Sequence, residues 1–208
     1  MTRGNSGSTV TVTRSRAYKK GGAVKHLRQQ FDFIKAFSDA VPSLPRGAGW
    51  SGHGYSMERL EDVRRLDDDL LRDVRTTLQT DFWYKEVPVV LPWKERMIER
   101  YGIAVDFTGL PLCLTHGDPT LENCMRRKDG ALVLIDPLPP INVPPVRAVD
   151  LGKLLQSYMG YERLRGDKRW ALTDDALGII FDGRPDHEQR VAWQFAGLHW
   201  LRCGRYLR

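Results

Sequence analysis

The residues of this chain that can do chemistry lie close together. Leu114-Thr-His116-Gly-Asp118-Pro-Thr-Leu-Glu-Asn123 is followed by Leu134-Ile-Asp136-Pro137 and then by Val149-Asp150-Leu151-Gly152. His116, Asp118 and Asn123 sit in a loop that leaves one short apolar run, Leu110 to Leu114, and Asp136 ends the next, Ala131 to Ile135. If the two runs pair as a hairpin, Asp118, Asn123 and Asp136 converge at its open end. Two carboxylates and an amide oxygen are hard oxygen ligands, the set that Mg²⁺ accepts through a few protein contacts completed by water and phosphate oxygens. A carboxylate beside such an ion can also accept a proton from an attacking hydroxyl. Each piece alone is ordinary. Gly-Asp is turn chemistry, Asp-Pro is a common strand ending, and a lone histidine more often holds a loop than moves a proton. The joint spacing carries the reading: Asp, Asn five residues on, a strand-terminal Asp thirteen after that, then Asp-Leu-Gly opening a helix.

Other elements must hold these residues in place. Thr9-Val10-Thr11-Val12-Thr13 alternates as a strand does, and Ala17-Tyr18-Lys19-Lys20 is its candidate hairpin partner. Leu27, Phe31, Ile34 and Phe37 take the helical spacing within His26 to Phe37, and Gly47 to Gly54 is rich in turn residues. Leu60, Val63, Leu66, Leu70, Val74 and Leu78 predict a long amphipathic helix from Met57 to Leu78. On it, Asp67-Asp68-Asp69 point in different directions and read as a solvated face rather than a metal site. Further helices are expected at Trp93 to Tyr101, Val149 to Met159 and His187 to Tyr206.

Composition narrows the class. The 208 residues are 41% hydrophobic and 28% charged, enough for one substantial core and too apolar for wholesale disorder. Lys and Arg outnumber Asp and Glu by 32 to 26, which suits a polyanionic partner without choosing one. No apolar run approaches the length of a membrane span, since Pro88, Pro92, Pro111 and Pro137 interrupt every candidate. The first residues lack the apolar region of a signal peptide. Cys113, Cys124 and Cys203 are odd in number and widely spaced, so buried thiols and a cytoplasmic setting are expected. No nucleic-acid reader motif accompanies the positive charge.

Taken together, these residues resemble the catalytic core of the aminoglycoside phosphotransferase and choline kinase-like family. That family carries His-Gly-Asp-x-x-x-x-Asn where eukaryotic protein kinases carry His-Arg-Asp-x-x-x-x-Asn, and here the pattern is His116-Gly117-Asp118 with Asn123. Ile135-Asp136-Pro137 is similar to the Ile-Asp-Pro of fructosamine kinase-like members, and Asp150 matches an aspartate that braces the catalytic loop. The resemblance implies an α+β, protein-kinase-like two-lobed fold: a small β-containing N-lobe over 1–57 and a mainly helical C-lobe over 58–208. Gly4 and Gly7 would belong to a shortened loop over the phosphates. Lys19 would be the nucleotide-phosphate lysine, with Lys20 as the register alternative. Ala40 to Pro45 looks like a strand entry, and Tyr55 to Leu60 is similar to the hinge, where backbone groups around Met57 and Glu58 meet adenine. The pattern departs in two places. Gln29 and Gln30 stand where a glutamate should face the lysine, and no room is left before Gly4 for the lobe's first strand.

The implied activity is transfer of the ATP γ-phosphate to a hydroxyl of a small molecule: a sugar, an aminoglycoside or a similar metabolite. Asn123 and Asp136 would hold Mg²⁺, Asp118 would accept or orient the hydroxyl proton, and His116 would brace the loop. The proline-rich stretch Pro137 to Pro145 resists the ordering switch of a protein-kinase activation segment. The rival is a pseudokinase or nucleotide-sensing module without phosphotransfer.

Overall fold

A run in which β-branched residues alternate with polar ones favours an extended backbone with one covered face. Ser8–Val12 forms such a strand (β2), antiparallel to Arg16–Gly21 (β3), with Val10 opposite Lys19. The computed structural model describes residues 2–3, 8–63, 67–85, 87, 93, 96–97, 99, 102–140, 142–161 and 172–203. Gly54–Glu58 (β5) pairs with the other edge of β3, Gly49–Trp50 (β4) lies outside β5, and Thr2–Arg3 (β1) lies outside β2. The result is a five-stranded antiparallel sheet in the order β1-β2-β3-β5-β4. A short first strand therefore does precede Gly4, against expectation, because two residues suffice to extend the ladder onto Thr9 and Val10. Gly4 and Gly7 themselves lie outside the described residues.

The helix Val24–Phe37 (α1) covers this sheet. Its Leu27 and Ile34 join Ala17, Tyr55 and Met57 in a small core, whereas Phe33 turns into a larger core formed by the rest of the chain. Val41 and Leu44, also from the first 57 residues, pack in that larger core too.

A second sheet joins Glu61–Asp62 (β6), Cys124–Arg126 (β7) and Leu132–Leu134 (β8). The helices are Asp68–Thr77 (α2), continued by a wider turn to Phe82, then Arg147–Gln156 (α3), Asp174–Phe181 (α4) and Asp186–Cys203 (α5). The architecture is thus mixed α and β with small antiparallel sheets. α3 and α5 pack closely at Gly152, where a Cβ would come within 2.7 Å of Phe195 and 2.8 Å of the Ala192 carbonyl. No helix among the described residues is long and apolar enough to cross a membrane. Cys113 and Cys124 are buried and Cys203 is half-buried, none of the three forms a disulfide among the described residues, and burial pushes the Cys113 thiol up to about 12.

Several expected elements differ. The helix expected from Met57 starts only at Asp68. Its would-be first turns belong to β5 and β6, and Asp67 is the cap, its carboxylate accepting the Leu70 N–H at 3.1 Å. The aspartate triplet is thus a helix start: one cap and two acids in the first turn, where the helix dipole favours negative charge. Leu110 to Leu114 is not a strand; Pro111 cannot donate to a ladder, and among the described residues the run makes one isolated bridge, Leu112 to Val146, with backbone bonds from Cys113 to Pro145 and from Leu114 to Lys85. β7 takes its place beside β8. Ala40 to Pro45 forms turns, with Val41 and Leu44 buried as anchors. Trp93, Arg96, Met97 and Glu99 are helical as expected, while the other residues of 93–101 lie outside the described residues. Helix α4 was not foreseen.

Candidate active site

The hairpin β7–β8 carries the acidic end of the site. Cys124 pairs with Leu134, and the Ile135 N–H donates to the Asn123 carbonyl at 2.8 Å. Asn123 and Asp136 are thereby brought to the same open end, as the spacing of the motif led one to expect, although β7 rather than Leu110 to Leu114 is the partner strand. The Asn123 amide donates to the Asp118 carbonyl at 2.9 Å, which curls the loop back so that Asp118 faces the hairpin end. Asp136 has φ of +59°, the left-handed region that aspartate tolerates better than most residues. Such a conformation costs about 1–3 kcal/mol and persists where surrounding structure enforces it.

Lys19 arrives from the sheet. Alternation along β3 buries Ala17 and Lys19 and exposes Tyr18 and Lys20, so Lys19 is the one of the two lysines on the covered face. Its Nζ lies 2.5 Å from Asp136 Oδ2 and 3.4 Å from Gln30 Oε1, with only 5% of the side chain exposed. Gln30 thus occupies the place where a glutamate was expected and supplies a neutral acceptor. Gln29 turns elsewhere, its carbonyl oxygen accepting from Asn142 at 3.3 Å and tying α1 to the proline-rich connection. The Tyr55 hydroxyl completes the cluster at 3.5 Å from Gln30 Oε1; burial, and then the Asp136 charge, push its pKa up. His26, which sequence reasoning passed over, also borders the cleft. Burial and the Lys19 charge pull its pKa down while Asp136 and Asp118 oppose them.

Helix α3 grips the loop of His116 to Asn123 with one face. Asp150 Oδ1 accepts the Gly117 N–H at 2.7 Å; its Oδ2 accepts the His116 N–H at 3.2 Å and the Trp83 indole N–H at 2.9 Å. Three residues on, Lys153 Nζ meets Asp118 Oδ1 at 2.8 Å and also donates to Gln156. One further turn along, Ser157 Oγ accepts the Leu121 N–H at 3.2 Å. Positions 150, 153 and 157 share one side of a helix, so the spacing from Asp150 was the available signal for Lys153 and Ser157. Burial works to raise the Asp118 pKa, but the Lys153 charge and hydrogen bond, helped by Arg202 and His116, outweigh it and hold the carboxyl below its usual value. Asp118 is therefore ionised at neutral pH.

His116 is fully buried, and burial pulls its pKa down to about 4 against the attraction of Asp118 and Asp136. It is neutral near pH 7 and braces the loop: its Nδ1 accepts the Asp118 N–H at 3.4 Å, its carbonyl accepts the Leu138 N–H at 2.8 Å, and its ring meets Phe82 edge-on. Gly117 permits the turn between them. It has φ of +79°, and a Cβ there would lie 2.6 Å from the Leu138 carbonyl. Gly117→Ala is expected to destabilise the fold by about 1–3 kcal/mol through the backbone conformation alone, with the clash adding to it. Denaturant unfolding of the purified variant measures this; an unchanged midpoint would contradict the geometry.

Met57 and Glu58 are placed differently from a free hinge. Met57 packs in the small core. The Glu58 N–H donates to the Arg46 carbonyl at 3.0 Å, and its carboxylate holds Arg127 at 2.9–3.1 Å. Arg127 in turn donates to the Pro42 and Leu44 carbonyls, so the pair staples β5, the 41–45 turns and β7 together. The donor that a purine base would require at Glu58 is already used.

For a divalent ion, no group of three or more His, Cys, Asp or Glu converges among the described residues. The donors fit instead a shared site. Asp136 Oδ1 is buried without a hydrogen-bond partner among the described residues, and the Asn123 amide nitrogen is engaged, which leaves its oxygen as the ligand atom. One carboxylate and one amide oxygen suit Mg²⁺ that keeps water and phosphate oxygens as its remaining ligands. Compared with known families and with curated proteins, the chain matches none.

Proposed function

We propose that the chain is an ATP-dependent phosphotransferase of protein-kinase-like, two-lobed architecture, related to the aminoglycoside phosphotransferase and choline kinase-like group, that phosphorylates a hydroxyl of a small molecule. The observation that carries this reading is Lys19 reaching across from the β3 strand to Asp136 at the hairpin end, directly beside a loop in which Asp118 is ionised and braced. A lysine facing a metal-type aspartate is the arrangement that receives a nucleotide's phosphates.

In this reading Asn123 and Asp136 hold Mg²⁺, whose role when bound is to neutralise charge on the phosphate oxygens. Lys19 turns from Asp136 toward the phosphates and contributes a second positive charge. Asp118 accepts a hydrogen bond from the acceptor hydroxyl and fixes its line of approach. Phosphoryl transfer passes through a loose transition state, so orientation matters more than early proton removal, and a carboxylate of lowered pKa is suited to it. Lys153, bonded to Asp118, places a cation beside the point of transfer, where negative charge on the moving phosphoryl group is met.

Lys153→Met is accordingly expected to lower turnover by roughly 10²-fold. With its cation gone, the Asp118 pKa rises, so the acid limb of the kcat/KM profile moves to higher pH. Lys153→Arg should restore part of both. A pH profile unmoved in Lys153→Met would remove Lys153 from the mechanism.

A nucleotide-sensing module without phosphotransfer is the second reading. Gln30 in place of a glutamate and the engaged Glu58 N–H favour it. The two readings separate on the Mg²⁺ dependence of nucleotide binding.

A further inference from the structure

A cavity of about 400 Å³ opens beside the catalytic loop. Val149, next to Asp150, forms part of its wall, and the Arg202 charge reaches Asp118 from its rim. Phe195 and Leu198 give it apolar walls, but its polar atoms are more informative. Trp93 is buried, and its indole N–H has no partner among the described residues. His199 Nε2 lies 3.4 Å from the Val149 carbonyl, so that nitrogen carries the proton. Nδ1 is then an acceptor, and it too is buried and unpartnered. Burial, and then the charges of Lys153 and Arg202, push the His199 pKa well down, which keeps the ring neutral.

Two residues of the lining thus hold one unsatisfied donor and one unsatisfied acceptor, and a buried polar group left unpaired carries a cost of about 1–3 kcal/mol that a ligand can relieve. Arg202, half-buried on α5, makes no hydrogen bond or ion pair among the described residues. Arg96 adds a second guanidinium to the lining against the single carboxylate of Glu99, both exposed. An acceptor bearing an ammonium group would meet an excess of like charge here, whereas a carboxylate or phosphate would meet Arg202 with its fork of donors free.

We propose that this cavity is the acceptor site and that it takes an anionic, hydroxylated small molecule, a sugar or polyol bearing a carboxylate or phosphate. Arg202 receives the anion, and Trp93 Nε1 and His199 Nδ1 pair with ring hydroxyls. The assignment of the cavity as acceptor site rests on the phosphotransfer reading; its preference for anions rests on the cavity alone.

The test is calorimetric titration of the nucleotide-free protein with glucuronate, glucose 6-phosphate, glucose and glucosamine. At least one anionic sugar is expected to bind about tenfold or more tightly than glucose, and glucosamine more weakly than glucose. Glucuronate and glucose 6-phosphate distinguish a carboxylate from a phosphate ligand. Arg202→Gln should abolish the preference and Arg202→Lys should retain much of it, with thermal melting confirming that both variants fold. Equal binding of all four, a preference for glucosamine, or no binding of either anionic sugar overturns the proposal. A protein that transfers phosphate yet prefers glucosamine refutes the anion assignment alone. One that binds anionic sugars through Arg202 without transferring phosphate refutes the kinase reading alone.

Discussion

Asp118→Asn is expected to lower phosphotransfer turnover by about 10²–10⁴-fold, the range a positioned proton acceptor contributes, while nucleotide affinity changes little. The substitution keeps the side chain's shape and removes its charge. The loop should survive it, because its hold on the fold comes from other groups: Asp150 on the His116 and Gly117 N–H groups, Ser157 on Leu121, and the Asn123 amide on the Asp118 carbonyl. Lys153 loses a counter-ion but keeps Gln156 at 3.0 Å. The loss should therefore fall on turnover. Steady-state rates alongside nucleotide titration of the same variant measure both quantities, and wild-type transfer by Asp118→Asn would refute the assignment of Asp118.

Asp150→Ala is expected to have the largest effect on stability, about 3–4 kcal/mol. Asp150 is fully buried, and its removal strands three donors at once: the Trp83 indole and two loop N–H groups. Each unsatisfied buried donor costs about 1–3 kcal/mol, and the costs do not add fully at one site. Activity should fall with stability, since the same bonds shape the loop around Asp118. Asp150→Asn offers a gentler probe with a pH signature. Burial pushes the Asp150 pKa up to about 7 even though the three donors pull against it. A carboxyl whose folded pKa exceeds its unfolded value binds more protons in the folded state. Its contribution to stability is full below the unfolded pKa of about 4 and is lost as pH rises through about 7. The stability of the wild type relative to Asp150→Asn should accordingly decline between about pH 4 and 7. Denaturant midpoints of both proteins across that interval give the slope, and a difference that grows with pH would contradict it.

How far these features could be read from sequence depends on how local their causes are. The His116 to Asn123 loop and Asp136 were legible through their residue types and spacing, although distant groups, Asp150, Ser157 and Lys19, hold them in place. The strands at Thr9 to Lys20 and the helix to Phe37 were legible from periodicity. Lys19 was legible only up to register: alternation allows Lys19 or Lys20 until α1 docks on the sheet and buries the Ala17 and Lys19 side. The helix placed from Met57 failed at its start because Leu60 and Val63 fall by chance on a helical spacing. Pairing of Tyr55 and Met57 with a strand almost forty residues earlier in the chain overrode that local signal. Asp67 as a cap ahead of an apolar run was a usable sign of where the helix starts. Lys153 carries only its helical spacing from Asp150 and Arg202 no signal at all, since what they do depends on how α3 and α5 dock against the loop.

The most direct test of the account is calorimetric titration of a non-hydrolysable ATP analogue, with and without Mg²⁺, into the wild type and Asp136→Asn. The Lys19, Asn123 and Asp136 arrangement should give one-site binding in the wild type that depends on Mg²⁺ and is lost in Asp136→Asn. Binding that is equally tight without Mg²⁺ and in the variant, or no binding at all, would contradict it.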